Sequence, residues 1–590
     1  MDSIKLLTVL LLAGSVAGSL NYRQPGRGAN SSTVHTGQKF TFRKEGGAAA
    51  FIRQLQPAKL QRIKNRSRFT GTTARLAALL DRDPDLGLDL TNDALLFRCA
   101  TLAATVSEAE VTAAQFGSNQ SVTAPDLDAA FAFNLSSRPT AVRKLILDFT
   151  GGVVTGTAWN KNYPNITIPP YSKDGDTSTF SQSELQDIVA IWRAVSEDFL
   201  AYDVDVTTII PPADVWVPAQ RVMIGGDGSW YGNAGGVSYL NAFQNAFYQP
   251  SFVFPGRLGP NYAKFIWEAT SHEIGHALGL LHDGFTGGPA YFEGQGDWAP
   301  IMGQSYWKEV TQFDNAEYPN SDNLQNDYAV MSNYLPLLPT PSGSSITTAT
   351  PINITTAGTV ATGRASGAIL QPGVAAVYSV AAAFAGTATL EVDVLLPWTA
   401  AFPARGRQTF ARSNLYAQLS VFDSNGTVLQ IGSFNPAGAD TNNGLGIAAA
   451  AVNLPSAGTY YVAVMGAGTP GGAAAGGYSA YGSRGRFELI VTLPAAPAPA
   501  SPSPVMPDIP SPSPSPSPSP CPSPSPSPSP VAVPSPSPDA PLPSPSPSPP
   551  AVVASPSPSP SPSPDVPSPS PSPVVPSPSP SPDVPSPSPS

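Results

Sequence analysis

Three of the four histidines in this 590-residue chain, His272, His276 and His282, lie within one eleven-residue segment. Because side chains four residues apart share one face of a helix, His272 and His276 can bind one metal ion together. Gly279 can adopt the left-handed conformation that ends a helix, so the chain can turn and bring His282 back as a third ligand. The spacing predicts Zn²⁺ with three protein ligands and one open position, which is typical of catalytic zinc.

Glu273 lies between the first two histidines, about 100° round the helix from His272. From there its carboxylate would face what the metal binds, which suits a general base better than a ligand. Zinc would supply an acidified water, and Glu273 would take its proton as that water attacks a substrate. The alternative for the motif is a surface helix that carries two histidines. The metal site is favoured because three of the only four histidines in the chain lie in this segment.

This segment resembles the zinc-binding motif of the metzincin clan of zinc endopeptidases. Residues 299–303, Ala-Pro-Ile-Met-Gly, are similar to the metzincin Met-turn, and Asp283 is similar to the residue after the third histidine in the adamalysin-like branch. The resemblance implies an α/β catalytic domain, built from a twisted mixed sheet and an active-site helix, with Met302 packed beneath the histidines. Astacin and serralysin types have a tyrosine where this chain has Gln304, so we expect no tyrosine ligand.

Cys99 is one of two cysteines, and two are too few for a disulfide scaffold. In matrix-metalloproteinase-like enzymes a propeptide thiolate fills the fourth zinc position and blocks water. A thiolate is a strong zinc ligand, and the chain matches that family's switch motif only in Arg98-Cys99. We therefore hypothesise that Cys99 is an inhibitory thiol, with a buried and inert thiol as the alternative.

Two further sites are hypotheses with stated alternatives. The resemblance implies an edge strand that pairs with extended substrate, which we assign to Val237, Ser238, Tyr239 and Leu240, with an ordinary sheet strand as the alternative. Residues 173–176, Lys-Asp-Gly-Asp, hint at Ca²⁺. Because they lack the full EF-hand pattern, a solvated turn is favoured.

Apolar patterns predict the elements that position these residues. Residues 144–149, 204–209 and 222–224 have the composition of strands. Ser181 and Glu184 form a capping box, and apolar residues at helical spacing follow them. The catalytic region should therefore contain both strands and helices.

Later in the chain the pattern changes to short alternating runs separated by Gly, Asn and Pro. Leu415, Ala417, Leu419 and Val421 would lie on one face of a strand. Residues in this region resemble the prepeptidase C-terminal domains of secreted proteases. An all-β sandwich is the fold class that this pattern predicts.

These changes in composition predict five segments: a signal peptide (1–19), a pro-segment (20–140), the metzincin-like zinc protease domain (141–340), the β-sandwich (346–495) and a Ser-Pro-rich tail (496–590). A charged start and a short apolar run characterise the first segment, so we expect secretion. Proline fixes φ, and the tail has almost nothing apolar to bury, so we expect a disordered polyproline II segment.

The partners follow from charge and composition. A formal net charge of −10 makes nucleic acid an unlikely partner, and no segment is long and apolar enough for a membrane anchor. The tail resembles hydroxyproline-rich glycoproteins of algal and plant walls, with an unmodified linker as the alternative. We predict a secreted zinc endopeptidase, made as a zymogen, that cleaves extracellular-matrix or cell-wall proteins. The alternative is a structural wall glycoprotein or binding protein with a vestigial protease domain.

Overall fold

The computed structural model describes residues 47–99 and 129–495, with gaps at 213–214, 260–261, 297, 309, 341–342, 359, 395–413, 434–447 and 470. The predicted signal peptide and Ser-Pro tail lie outside the described residues. The chain divides into two units, Met1–Ser503 and Pro504–Ser590, and every described residue belongs to the first. In this part of the chain no helix has the length and apolarity that crossing a membrane requires.

The first described residues form what we call the N-terminal module, residues 48–99. It contains α1 (Ala48–Gln54), α2 (Pro57–Arg66), α3 (Thr73–Arg82), β1 (Leu86–Asp89) and β2 (Ala94–Cys99). The two strands form an antiparallel hairpin, and one face of it packs against the helices around Leu76, Leu88 and Phe97, none of which is exposed. The apolar core of the module is completed by Leu240 and Leu281 from later in the chain.

The central sheet has seven strands in the order β1-β2-β8-β9-β7-β3-β6. The strands that follow the module are β3 (Lys144–Asp148), β4 (Gly152–Val154), β5 (Ile166–Ile168), β6 (Asp205–Thr207), β7 (Ala219–Ile224), β8 (Gly236–Tyr239) and β9 (Ser251–Val253). Strands β9, β7, β3 and β6 run parallel, whereas β8 pairs antiparallel with both β9 and β2. Strands β4 and β5 form a separate hairpin, and α4 (Ala158–Asn162) lies between them in the chain.

The predicted strand at 144–149 is confirmed to within one residue. Its continuous apolar run is typical of a parallel strand that is buried on both faces. The strand predicted at 222–224 begins earlier, at Ala219, and the one predicted at 204–209 is shorter. One feature differs from the expected segmentation. Two strands of the predicted pro-segment, β1 and β2, are part of the central sheet.

Two helices cover one face of this sheet. Helix α5 (Gln182–Asp198) begins at the predicted capping box, in which Ser181 Oγ accepts a bond from the Glu184 amide and the Ser181 amide donates to Glu184 Oε2 at 2.7 Å. Helix α6 (Ala263–Ala277) is buried along its whole length. A helix that is buried all round belongs in a core, and α6 packs against both the sheet and α5.

After α6 come β10 (Trp298–Pro300), β11 (Val310–Gln312) and α7 (Asp327–Met331). Strands β10 and β11 form a parallel pair in which Pro300 is opposite Gln312. The turn that follows β10 therefore begins beside the end of β11. Residues of this region, among them Ile301, Phe313 and Met331, complete the core around α5 and α6.

The last described region contains two five-stranded sheets, with orders β12-β15-β20-β17-β18 and β13-β14-β21-β16-β19. Their strands are β12 (Thr350–Pro351), β13 (Ile354–Ala357), β14 (Val360–Ile369), β15 (Ala376–Ala382), β16 (Gly386–Val394), β17 (Ala417–Phe422), β18 (Val428–Ser433), β19 (Ala448–Leu454), β20 (Gly458–Gly466) and β21 (Gly485–Pro494). Leu415, Ala417, Leu419 and Val421 are all buried in the core that the two sheets share, as their alternation predicts.

Polar contacts join this two-sheet region to the helical layer. Asp198, at the end of α5, accepts hydrogen bonds from Asn414 Nδ2 at 2.8 Å and from Ser271 Oγ of α6 at 2.6 Å. Glu197 forms an ion pair with Arg486 at 2.5 Å. The carboxyl end of α5 therefore links the two-sheet region to the helix that carries the histidines.

Candidate metal centre

Helix α6 and the turn after it bring the three histidines together. His272 and His276 lie one turn apart, and the helix ends at Ala277. Gly279 has φ of 102°, and a Cβ at this residue would lie 2.6 Å from Asn241 Oδ1, so only glycine fits without a shift. The Leu280 amide then donates to the Gly275 carbonyl at 2.9 Å, which reverses the chain and returns His282 to the other two rings.

Each histidine has a hydrogen-bond partner at Nδ1. His272 contacts the Ile301 carbonyl at 2.8 Å, and His276 contacts the Leu280 carbonyl at 2.9 Å. His282 Nδ1 lies 2.7 Å from Asp83 Oδ2. Since carbonyl and carboxylate oxygens only accept, each Nδ1 carries a hydrogen, which leaves Nε2 as the ring atom that can bind a metal.

Cys99 completes this group. Its Sγ lies 3.4 Å from His276 Nε2 and 3.6 Å from His282 Nε2, and these two nitrogens are 3.1 Å apart. Zinc bond lengths of about 2.0 Å to nitrogen and about 2.3 Å to sulfur place tetrahedral ligand atoms roughly 3.3–3.6 Å apart. All four ligand atoms lie within 4.8 Å of one another, so this buried Cys/His₃ group could hold a metal ion.

The polar atoms of the site support the same conclusion. His272 Nε2 is buried without a hydrogen-bond partner, and both carboxylate oxygens of Glu273 are buried beside the Cys99 thiol. Unpaired buried polar atoms cost free energy, and converging lone pairs cannot satisfy one another. A cation among the rings would satisfy the nitrogens and lie close to the carboxylate.

Burial sets the protonation of the site. It lowers the pKa of His272 to about 3 and that of His276 well below its ordinary value, so both rings are neutral near pH 7, the form that ligates metals. Burial also raises the pKa of the Cys99 thiol and of Glu273 well above their ordinary values. A bound cation would oppose both increases by favouring the thiolate and the carboxylate.

Glu273 lies between α6 and β8. A Cβ at Gly236 would be 2.2 Å from Glu273 Oε1, so the carboxylate occupies the space that the glycine leaves. Gly236 is the register partner of Cys99 in the β2–β8 pair. The predicted base therefore lies next to the strand that we assigned to substrate and next to the thiol.

Met302 is fully buried and lies against α6. A Cβ at Gly275 would be 2.5 Å from the Met302 sulfur, which places the thioether directly on the helix between His272 and His276. The Met302 carbonyl accepts a hydrogen bond from the Asp283 amide at 2.9 Å. The turn around Met302 thus supports both the helix and the residue that follows His282.

The predicted substrate strand requires a correction. Val237, Ser238 and Tyr239 lie in β8, but Leu240 lies just beyond its end. Strand β8 is not an exposed edge in the full chain, because β2 pairs with its outer side. The Gly235 amide donates to the Cys99 carbonyl and the Leu240 amide to the Leu95 carbonyl. The pairing was not predictable from the sequence of β8, because the register partners in β2 lie about 140 residues earlier in the chain.

The predicted calcium turn has internal partners. Asp174 Oδ1 accepts from the Ser172 hydroxyl and the Asp176 amide, and Asp176 accepts from Ser178 and Thr179. These bonds lower the pKa of Asp176 to about 2. The carboxylates thus stabilise a solvated turn, which is the alternative that the sequence favoured.

Three residues at the site lacked any local signal. Asp83 contacts His282, and the Phe97 ring stacks on His276 with centroids 3.9 Å apart. The Tyr291 ring lies 4.2 Å from that of His282. Asp83 and Phe97 reach the site only through the packing of the N-terminal module, and Tyr291 lies in a loop without a repeating pattern.

Comparisons with known proteins give no family. No protein-family model and no curated protein matches the sequence. Among solved structures the chain is similar to PliG of Aeromonas hydrophila, described as a periplasmic lysozyme inhibitor of g-type lysozyme. The identity is 18%, the match covers 24% of this chain and 93% of that chain, and the TM-score is 0.14. A TM-score this low carries no argument about fold or function.

Proposed function

We propose that the chain is a secreted zinc endopeptidase of the metzincin type, held inactive by its N-terminal module. The observation that carries this proposal is the convergence of three imidazole side chains beside the buried carboxylate of Glu273. The sequence supports it through the eleven-residue motif and the turn at Met302. The metal, the reaction and the family are all part of the proposal.

His272, His276 and His282 would hold the ion. When bound, zinc supplies Lewis acidity and an acidified water for peptide hydrolysis. Glu273 would accept a proton at its carboxylate and return it to the leaving amine, as general acid-base catalysis requires. Its position against Gly236 supports this role, because a peptide paired with β8 would pass close to the carboxylate.

The N-terminal module would keep the enzyme latent in two ways. Cys99 would fill the fourth ligand position, which leaves no place for water. Strand β2 covers the side of β8 on which an extended substrate would add. Removal of the module would open both positions at once, so residues 48–99 act as an inhibitory pro-segment in this proposal.

Extracellular proteins are the proposed substrates. This choice rests on the predicted signal peptide and on the Ser-Pro tail, whose composition is similar to that of wall glycoproteins. The enzyme would be secreted and would act in a matrix or wall.

A second candidate has its own supporting observation. Four protein ligands without an open position are typical of structural zinc sites, and Cys99 gives this chain such a set. If the N-terminal module is never removed, the chain would be a wall or binding protein whose zinc stabilises the fold. The two candidates differ in whether loss of the module produces cleavage.

The test is a cleavage assay on the secreted protein carrying an engineered protease site within residues 100–128. We expect no activity before processing, and after processing and release of the module we expect cleavage of unstructured protein substrates that a zinc chelator abolishes. A processed protein that is folded, contains zinc and cleaves none of the substrates tried would favour the structural candidate.

Glu273→Gln is the matched variant because it keeps the size of the side chain and removes the base. We expect the processed variant to retain one zinc and to lose activity by about 10²–10⁴-fold. Glu197→Gln is the control, since Glu197 is also a buried carboxylate but pairs with Arg486. Equal activity of Glu273→Gln and the unsubstituted protein would remove Glu273 from its proposed role.

A further inference from the structure

The partner of His282 comes from the N-terminal module. Asp83 and His282 are separated by 199 residues, yet Asp83 Oδ2 lies 2.7 Å from His282 Nδ1 and both side chains are buried. Asp83 Oδ1 accepts a bond from the Asp85 amide at 2.9 Å, which fixes the carboxylate.

The other two histidines depend on different groups. His272 and His276 donate to the carbonyls of Ile301 and Leu280, which belong to the region that carries the motif. These partners remain when the N-terminal module is removed. His282 alone among the three has its Nδ1 partner in residues that would leave.

The neighbouring residue strengthens this contact. Arg82 donates to the Asp322 carbonyl at 2.5 Å and, through Nη2, to the His282 carbonyl at 3.4 Å. Consecutive residues of the module therefore hold the backbone and the ring of His282.

We propose that Asp83 is a positioning residue for the metal, and that it makes the latent chain bind zinc more tightly than the processed chain. The carboxylate holds the hydrogen of His282 on Nδ1, which directs the Nε2 lone pair towards the other ligands. Outer-shell partners of this kind typically change metal affinity by about 10–100-fold. The inference deepens the proposed function and rests on it, because it assumes that the three histidines hold zinc.

The test measures zinc affinity of the full chain by competition with a chelator of known affinity, while Cys99 is retained. We expect Asp83→Ala to weaken zinc binding by about 10–100-fold. We expect a smaller loss for Asp83→Asn, since an amide oxygen still accepts the bond but carries no charge. Asp83→Ala with unchanged zinc affinity would overturn the inference.

Asp93→Asn is the matched control. Asp93 is an acidic residue of the same module, and it pairs with Lys59 and Arg62 at 2.7 Å, not with a histidine. We expect its zinc affinity to stay unchanged. An equal loss in Asp93→Asn and Asp83→Asn would mean that general loosening of the module causes the effect, and would overturn the specific role of Asp83.

A measurement on the unsubstituted chain does not depend on the folding of any variant. Selective ¹⁵N labelling of the four histidines reports which ring nitrogen carries hydrogen in the zinc-loaded protein. We expect a hydrogen on His282 Nδ1 and zinc on Nε2; zinc on Nδ1 would overturn the inference. A full chain that binds no zinc contradicts the proposed function itself, which is a different outcome from stoichiometric zinc with an affinity that Asp83→Ala leaves unchanged.

Discussion

At the scale of single residues, Gly236 provides the space that Glu273 occupies. A Cβ at this position would lie 2.2 Å from Glu273 Oε1, far inside van der Waals contact. We expect Gly236→Ala to displace the carboxylate and to destabilise the fold by about 1–3 kcal/mol. It should also abolish most of the proposed peptidase activity of the processed protein without loss of the proposed zinc. Urea unfolding, zinc analysis and peptide cleavage measure these three effects.

Gly225 offers a matched control for this substitution. A Cβ at Gly225 would lie 2.2 Å from the Pro169 carbonyl, so the steric conflict is similar but involves no site residue. We expect Gly225→Ala to lose stability and to keep its activity per folded molecule. If both variants keep full activity, the position of Glu273 against β8 does not matter for catalysis.

Met302 packs against α6 at Gly275, between His272 and His276. Because its side chain is fully buried against Gly275, Met302→Ala should destabilise the protein by about 2–5 kcal/mol. Met302→Leu nearly conserves the volume and should cost less than about 1.5 kcal/mol. Denaturant unfolding at fixed zinc concentration measures both, and equal stability of the two variants would contradict the packing role of Met302.

The sequence predicted those parts of the site that are local in the chain. His272, His276 and His282 are joined by one helix and one glycine turn, so their spacing alone indicates that they converge. Asp83 and Tyr291 carry no such signal, because their approach depends on how separate segments pack. The hypothesis about Cys99 came from the resemblance to matrix-metalloproteinase-like enzymes, and the position of Cys99 beside the rings depends on the pairing of β2 with β8.

At the scale of elements, the pairing of β2 with β8 is the structural basis of the proposed latency. The amides of Gly235 and Leu240 donate to carbonyls of β2. We expect both amides to exchange slowly with solvent in the full chain and much faster after the N-terminal module is released, because they lose these acceptors. Hydrogen-exchange mass spectrometry of residues 235–240 tests this.

The β4–β5 hairpin supplies an internal reference for that experiment. It pairs only with itself among the described strands, so its exchange should change little when the module leaves. Unchanged protection of residues 235–240 after release would mean that β2 does not cover β8 in solution.

Elements with strong local patterns were predictable, and their neighbours in the sheet were not. The capping box at Ser181 and Glu184 marks the start of α5, and the apolar run at 144–149 marks β3. Nothing in the sequences of β1 and β2 indicates that they pair with β8 and extend the central sheet. Strand pairing over long sequence separations depends on the whole fold, which local periodicity does not report.

At the scale of the whole first unit, α5 connects the two-sheet region to the site. Asp198 accepts bonds from Asn414 and from Ser271, which precedes His272 in α6. We expect Asn414→Ala to lower the free energy of unfolding by about 1–3 kcal/mol, since it removes a donor from a buried carboxylate. Urea unfolding should show one cooperative transition for residues 47–495, and two separated transitions would contradict this coupling.

Gln418→Ala is a control for that variant. Gln418 lies in β17 on the face opposite to Leu419 and is only half-buried. Surface substitutions of this kind usually change stability by less than about 0.5 kcal/mol. If Gln418→Ala lowers the free energy of unfolding as much as Asn414→Ala does, any substitution in the two-sheet region is destabilising, and the hydrogen bond to Asp198 has no specific role.

Cys99, His272, His276 and His282 meet near α6 and β2, and X-ray absorption at the zinc edge tests directly whether they hold one zinc ion. For the full chain we predict one zinc with three nitrogens at about 2.0 Å and one sulfur at about 2.3 Å. In Cys99→Ala the sulfur should be replaced by a lighter ligand while the three nitrogens stay. Absence of stoichiometric zinc, or a first shell without three imidazole nitrogens, would contradict the account.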